Sequence, residues 1–135
     1  MEKEILSEET RSKLKSLSRA FLRLHKTLLE GAKAEYEAKN GRIAGANQYL
    51  QLVLDDPHFA WLRKMSSLIA LIDEAVSVRR PASESEAQAL FIEARLLLSF
   101  EDADGEFNDK FQIALQKNSD AVLSYNDALK FTTEK

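Results

Sequence analysis

The sequence predicts an all-α fold: an antiparallel four-helix bundle with a long first helix and one short extra helix between helices one and two. Three observations predict it. Apolar residues recur with a helical period in four separate stretches, alternating by three and four in the first two, the stripe of a helix with one face on a core. Capping and stop residues stand at the ends of those stretches, and four Gly and two Pro leave few breaks between them. No stretch alternates with the period of two that a half-buried strand requires. With 135 residues, the chain has the length of one domain, 1–135, and buries roughly two-thirds of its unfolded surface, so a core needs no metal or disulfide.

Ser7 is placed as an N-cap, and the charges of Glu8 and Glu9 suit the positive end of a helix dipole. Leu14, Leu17, Phe21, Leu24 and Leu28 then form the seam of the first helix, which continues through Ala32 and Tyr36. Asn40 followed by Gly41 stops it, because Gly accepts the left-handed conformation just past a helix end. At ~1.5 Å per residue this helix is about 50 Å long. A short helix at 47–54 carries Tyr49, Leu50, Val53 and Leu54. Asp56 as N-cap and Pro57 at the first helical position open the second long helix, since the missing proline N–H costs nothing there. Its seam is Leu62, Met65, Ile69, Ile72 and Val76, and Pro81 closes it.

Ser83 with Glu86 three residues on is a capping box, each side chain satisfying a backbone donor that the helix start leaves orphaned. The third helix shows Ala87, Leu90, Phe91, Ala94, Leu97 and Leu98 on one face and ends near the acidic stretch 101–105. The fourth carries Phe107, Phe111, Leu115, Val122, Tyr125 and Leu129. Short connections between the helices make neighbours antiparallel.

Composition narrows the chemistry. There is no Cys, which excludes disulfides, thiolate metal sites and cysteine nucleophiles and favours a reducing compartment. The polar start lacks the apolar core of a signal peptide, and no run approaches the ~20 apolar residues of a membrane span. A cytoplasmic protein without membrane contact is expected. Net charge is −3, but residues 1–45 carry an excess of three positive charges and residues 46–135 an excess of six negative ones. The two halves can neutralise each other on folding.

Two histidines are too few for a histidine-rich bundle centre, and neither stands three residues after a Glu, as a di-iron carboxylate bundle requires. Asp55 and His58 straddle Pro57 at a helix start, where they need not share a face. Asp102, Asp104 and Gly105 sit in the frame of a calcium loop, but its first and last positions would be Phe100 and Phe111, where carboxylates are required. Gly41 and Gly45 lack the Lys and Ser/Thr of a phosphate loop. No nucleophile motif is present. No metal, cofactor or catalytic residue is therefore expected.

Polar residues near the seams are the candidates for a pocket. His25 lies about 60° from the centre of the first helix's stripe, Asp73 about 60° from the second's, and Asn118 on the fourth's, at ~100° per residue. Together the three are a candidate small-ligand or enzymatic pocket. Singly, Asn118 reads as a buried register-setting or inter-helix hydrogen bond, and His25 and Asp73 as a rim pair or separate solvated residues. Trp61, in the aromatic run 56–63, reads as a plug at the end of the core, with an exposed partner anchor as the alternative.

The run Leu24, His25, Lys26, Thr27, Leu28, Leu29, with Tyr36, Glu37, the stretch 55–63 and Ile72, Asp73 and Glu74, resembles a family of short, functionally uncharacterised bacterial helical proteins. The resemblance covers residues 24–74. It implies a compact bacterial protein and carries over no function or site residue.

The third helix points to a function class. Ala89, Ile92, Leu96 and Phe100 make a second apolar stripe, nearly opposite the first. A helix apolar on both sides is buried on both, so either the short helix at 47–54 or a second subunit must cover it. The expected function is a non-enzymatic interaction module that self-associates as a homodimer. Arg11, Lys15, Arg19, Arg23 and Lys26 form a basic ridge on the first helix, away from its seam. Without interleaved aromatics, on an acidic protein, it reads as a solvated face, or as one for an acidic protein partner or subunit, and not as a nucleic-acid site.

Overall fold

A computed structural model of the chain describes residues 5–77, 79–80 and 82–133. Seven helices and no strand occur among them, and the one β-type pairing is the bridge between Ile5 and Ser83. The all-α class of the sequence reading is thus found, with more helices than expected.

Helix α1 (Glu8–Asn40) runs for 33 residues. The Ser7 hydroxyl accepts the Thr10 N–H at 3.1 Å. At the other end Gly41, with φ 87°, donates its N–H to the Glu37 carbonyl. Between these caps Leu14, Leu17, Phe21, Leu24, Leu28 and Ala32 are buried, so the predicted seam is the seam observed. Helix α2 (Ala46–Asp55) has no buried residue. It packs on helix α3 (Pro57–Ala60), with Tyr49 edge-on to Phe59 at 6.1 Å and the Lys33 ammonium 5.0 Å from the Tyr49 ring.

The expected second long helix is divided. Asp56 accepts the His58 N–H at 2.9 Å and starts α3 as predicted, but the helix lasts one turn. Trp61 and Leu62 form a turn in which the Leu62 N–H reaches back only to Phe59, and α4 (Arg63–Ala75) follows. Aromatic packing accounts for the break: Phe59 is wholly buried, while Trp61 lies 6.0 Å from Phe107. In α4 Met65, Leu68, Ile69, Ile72 and Ala75 are buried. Pro81, expected to close this helix, lies outside the described residues.

Helix α5 (Glu84–Leu98) begins with the predicted capping box: Ser83 and Glu86 satisfy each other's backbone N–H groups at 3.1 and 2.9 Å. It ends on Phe100, whose φ of 60° is positive, and Glu101 returns its N–H to the Leu96 carbonyl at 2.9 Å. This is a helix stop normally made by Gly. Helix α6 (Gly105–Lys117) is capped by Asp104, which accepts the N–H groups of Glu106 and Phe107.

The fourth predicted helix also breaks, at Asn118. Its backbone is extended (φ −139°, ψ 98°), and α7 (Ser119–Thr133) starts afresh beyond it. Helix α1 packs against α7 and α4, and α5 packs against the same two helices. The buried side chains of all these elements form one cluster, with Phe21, Phe59, Phe107 and Phe111 wholly enclosed.

Candidate functional site

Among the described residues nothing covers the outer face of α5. Ile92 is 60% and Leu96 38% exposed, and Ala89 beside them is exposed. The short helix α2 is packed on α3 and Lys33, so it leaves this face open. Phe100 is not part of the face. Its ring stacks on Tyr125 at 5.9 Å and lies 5.3 Å from Phe111. The positive φ at the helix end turns this side chain inward, which the continuous helical spacing could not anticipate.

The three polar candidates are held in different places. The Asp73 carboxylate accepts the Ser18 hydroxyl at 2.6 Å. Asn118 reaches the Thr27 carbonyl, nine residues further along α1, a rise of about 13 Å. His25 is half-buried, and burial lowers its pKa below the usual 6.5. Asn118 is not a residue of a continuous seam. Its side-chain oxygen accepts the N–H groups of Asp120 and Ala121 at 3.1 and 3.3 Å. It is the N-cap of α7, and the polar residue in the apolar stripe marks a helix boundary.

Beside Asn118 lies a recess of about 360 Å³. One wall is α1, through Leu28, Gly31, Ala32 and Glu35. The facing wall is α6, through Lys110, Ile113, Ala114 and Lys117. Each set has the i, i+3, i+4, i+7 spacing of one helix face. Small residues stand at the middle of each wall, and a Cβ built on Gly31 would come 3.4 Å from the Asn118 amide nitrogen. His58 and Trp61 supply the third wall. His58 is fixed: Nε2 lies 2.7 Å from the Ala32 carbonyl, which can only accept, so Nε2 carries a proton and donates. The ring also meets Phe59 edge-on at 5.0 Å.

The charged groups sit on the walls facing each other. Lys117 pairs with Glu35 across the recess at 3.1 Å, while Lys110 pairs with Glu106 on its own helix at 3.2 Å. Two ammonium groups and one carboxylate therefore line it, beside the neutral Asn118 amide and the apolar Leu28, Ile113 and Trp61. Of the three expected pocket residues, Asn118 lines this recess and His25 and Asp73 do not.

No protein family, curated protein or solved structure matches the chain. Among the described residues no group of three His, Asp or Glu side chains is placed to hold a metal ion, and no helix is long and apolar enough to cross a membrane.

Glu35, Lys110 and Lys117 were not singled out by the sequence, and His58 was weighed there only as a metal ligand beside Asp55. A signal for two of them exists: Lys110, Ile113, Ala114 and Lys117 make a second face of α6, beside the Phe107, Phe111 and Leu115 core face. Nothing in the sequence indicates that the α1 and α6 faces meet.

Proposed function

We propose that the chain is a non-enzymatic helical interaction module, a single domain that pairs with a second copy of itself through the outer face of α5. The observation that carries this reading is the exposure of Ala89, Ile92 and Leu96 on a helix already buried on its other side. Contiguous apolar surface that nothing covers marks an interface more often than a free surface. The edges of the stripe favour a second copy as the occupant. Arg95 stands on one edge and Glu93 on the other, and both are exposed. A parallel two-fold pairing sets the Arg95 edge of one copy against the Glu93 edge of the other.

This reading treats α1, α3 with α4, α5, and α6 with α7 as the four arms of an antiparallel bundle. The pairs Arg11 with Val76 and Ala32 with His58 support opposite directions for the first two arms. A Cys-free chain fits a reducing, cytoplasmic setting. Nucleic acid and membrane have no part in it, because the basic ridge of α1 is partly neutralised: Arg11 pairs with Glu8 and Arg23 approaches Asp127. The other reading, a pocket around His25, Asp73 and Asn118, retains support only at Asn118.

Light scattering at rising concentration tests the module, with Leu96→Glu as the variant. The wild-type mass should climb towards twice the monomer's, and the variant should keep its helicity while remaining monomeric. A wild-type chain still monomeric at about 200 μM, an affinity worth only some 5 kcal/mol, would rule the pairing out.

A further inference from the structure

The recess between α1, α3 and α6 has the features of a small-molecule site that is independent of the α5 face. Its volume of about 360 Å³ falls within the roughly 300–1,000 Å³ of such sites. Its shape is held by bonds within the chain: His58 is tied to the Ala32 carbonyl and Asn118 to the backbone of α7. The break at Asn118 ends α6 at this point, and Gly31, Ala32 and Ala114 keep the middle of both walls shallow.

We propose that this recess binds a small amphipathic anion, with its apolar body against Trp61, Ile113 and Leu28 and its acidic group at Lys110 and Lys117. Two observations set the ligand class. The lining carries two ammonium groups against the single carboxylate of Glu35. Among the described residues the two lysines pair with Glu35 and Glu106, both exposed, and pairs to exposed carboxylates are readily exchanged for a better-placed anion. The indole supplies a flat apolar surface beside the charge, and the half-exposed Ile113 side chain extends it.

Trp61 is the only tryptophan, so its fluorescence reports from the recess wall. The probe is 8-anilinonaphthalene-1-sulfonate, an aromatic anion, titrated into the full chain with energy transfer from Trp61 as the readout. Its uncharged counterpart, N-phenyl-1-naphthylamine, measures how much of the binding the charge supplies. One saturable site is expected, with the uncharged probe binding about tenfold more weakly. The double variant Lys110→Glu, Lys117→Glu should weaken the anion by at least about tenfold and leave the uncharged probe unchanged. Ala114→Phe, which fills the recess, should abolish both. Leu96→Glu, which alters the α5 face, should change neither, separating this site from the dimer surface. Octanoate should displace the probe at markedly lower concentration than octanol. Equal binding of the charged and uncharged probes would overturn the anion assignment. Undiminished binding to the lysine double variant, whose exposed substitutions spare the core, would overturn the site even if Ala114→Phe fails to fold.

Discussion

The rings of Phe100 and Tyr125 stack 5.9 Å apart with their planes only 17° from parallel, and the Tyr125 hydroxyl donates to the Leu98 carbonyl at 2.8 Å. Phe100 reaches this position from a backbone with φ 60°. For a residue with a Cβ that conformation costs about 1–2 kcal/mol, and burial of the ring against Tyr125 and Phe111 offsets it.

The two costs at Phe100 can be separated. Phe100→Ala loses the ring contacts and keeps the backbone penalty, so it should destabilise by about 2–3 kcal/mol. Phe100→Gly loses the same contacts but relieves the backbone, and should be about 1 kcal/mol less damaging. Chemical denaturation of the two variants checks this. Helix interiors show the opposite order, with Ala better than Gly, and finding that order here would show the positive φ to be wrong.

Asn118→Leu should destabilise by about 1 kcal/mol, because the N–H groups of Asp120 and Ala121 lose their acceptor. Asn118→Asp, which keeps the accepting oxygen, should be close to neutral. A seam residue would behave differently: leucine there would raise stability. Thermal melts of both variants distinguish a helix cap from a core position.

His25 carries a pH dependence. Its pKa is lowered by burial, so the unfolded chain binds its proton more readily than the folded one. Stability from this group is complete above pH 6.5 and is lost as pH falls below it, levelling off under the folded-state pKa. His25→Gln should flatten the stability profile between pH 7 and 5. Glu84 acts in a lower window: the Thr10 hydroxyl and the Ser7 N–H lower its pKa, so its contribution fades only as pH drops below about 4.5. An unchanged slope between pH 7 and 5 in His25→Gln would assign that slope to another group.

Lys15 and Arg19 are exposed, and among the described residues neither forms an ion pair. Changing both to Glu should move stability by less than about 1 kcal/mol. No binding to duplex DNA is expected near physiological salt. Micromolar binding that falls steeply with salt and disappears in the double variant would replace the interaction-module reading with a nucleic-acid one.

The legible parts of this fold are those whose causes are local. Ser7, the Leu14 to Ala32 spacing and Gly41 are neighbours in sequence and in space, and α1 follows them residue by residue. The same holds for Asp56 with Pro57 and for Ser83 with Glu86. The break at Trp61 and Leu62 has no Gly or Pro to announce it, because it depends on where Phe59 and Trp61 meet other helices. The break at Asn118 left a trace that apolar spacing alone conceals: five polar residues separate Leu115 from Ala121, and Asn, Ser and Asp among them are capping types. The recess was invisible because its walls are faces of helices that lie some eighty residues apart in sequence.

One carboxylate ties two helix starts together. Glu84, the first residue of α5, takes the Thr10 hydroxyl at 2.6 Å and the Ser7 N–H at 3.0 Å, while Leu6 donates its N–H to the Ala82 carbonyl. Terminal turns of helices ordinarily fray one by one, with opening energies near zero. Here the first turn of α1 cannot open without releasing acceptors at the first turn of α5, across more than seventy residues of chain. The two ends are therefore expected to exchange their amide protons as one cooperative unit, more slowly than the C-terminal turn of α1 at Asn40, which is capped by bonds to near neighbours in sequence.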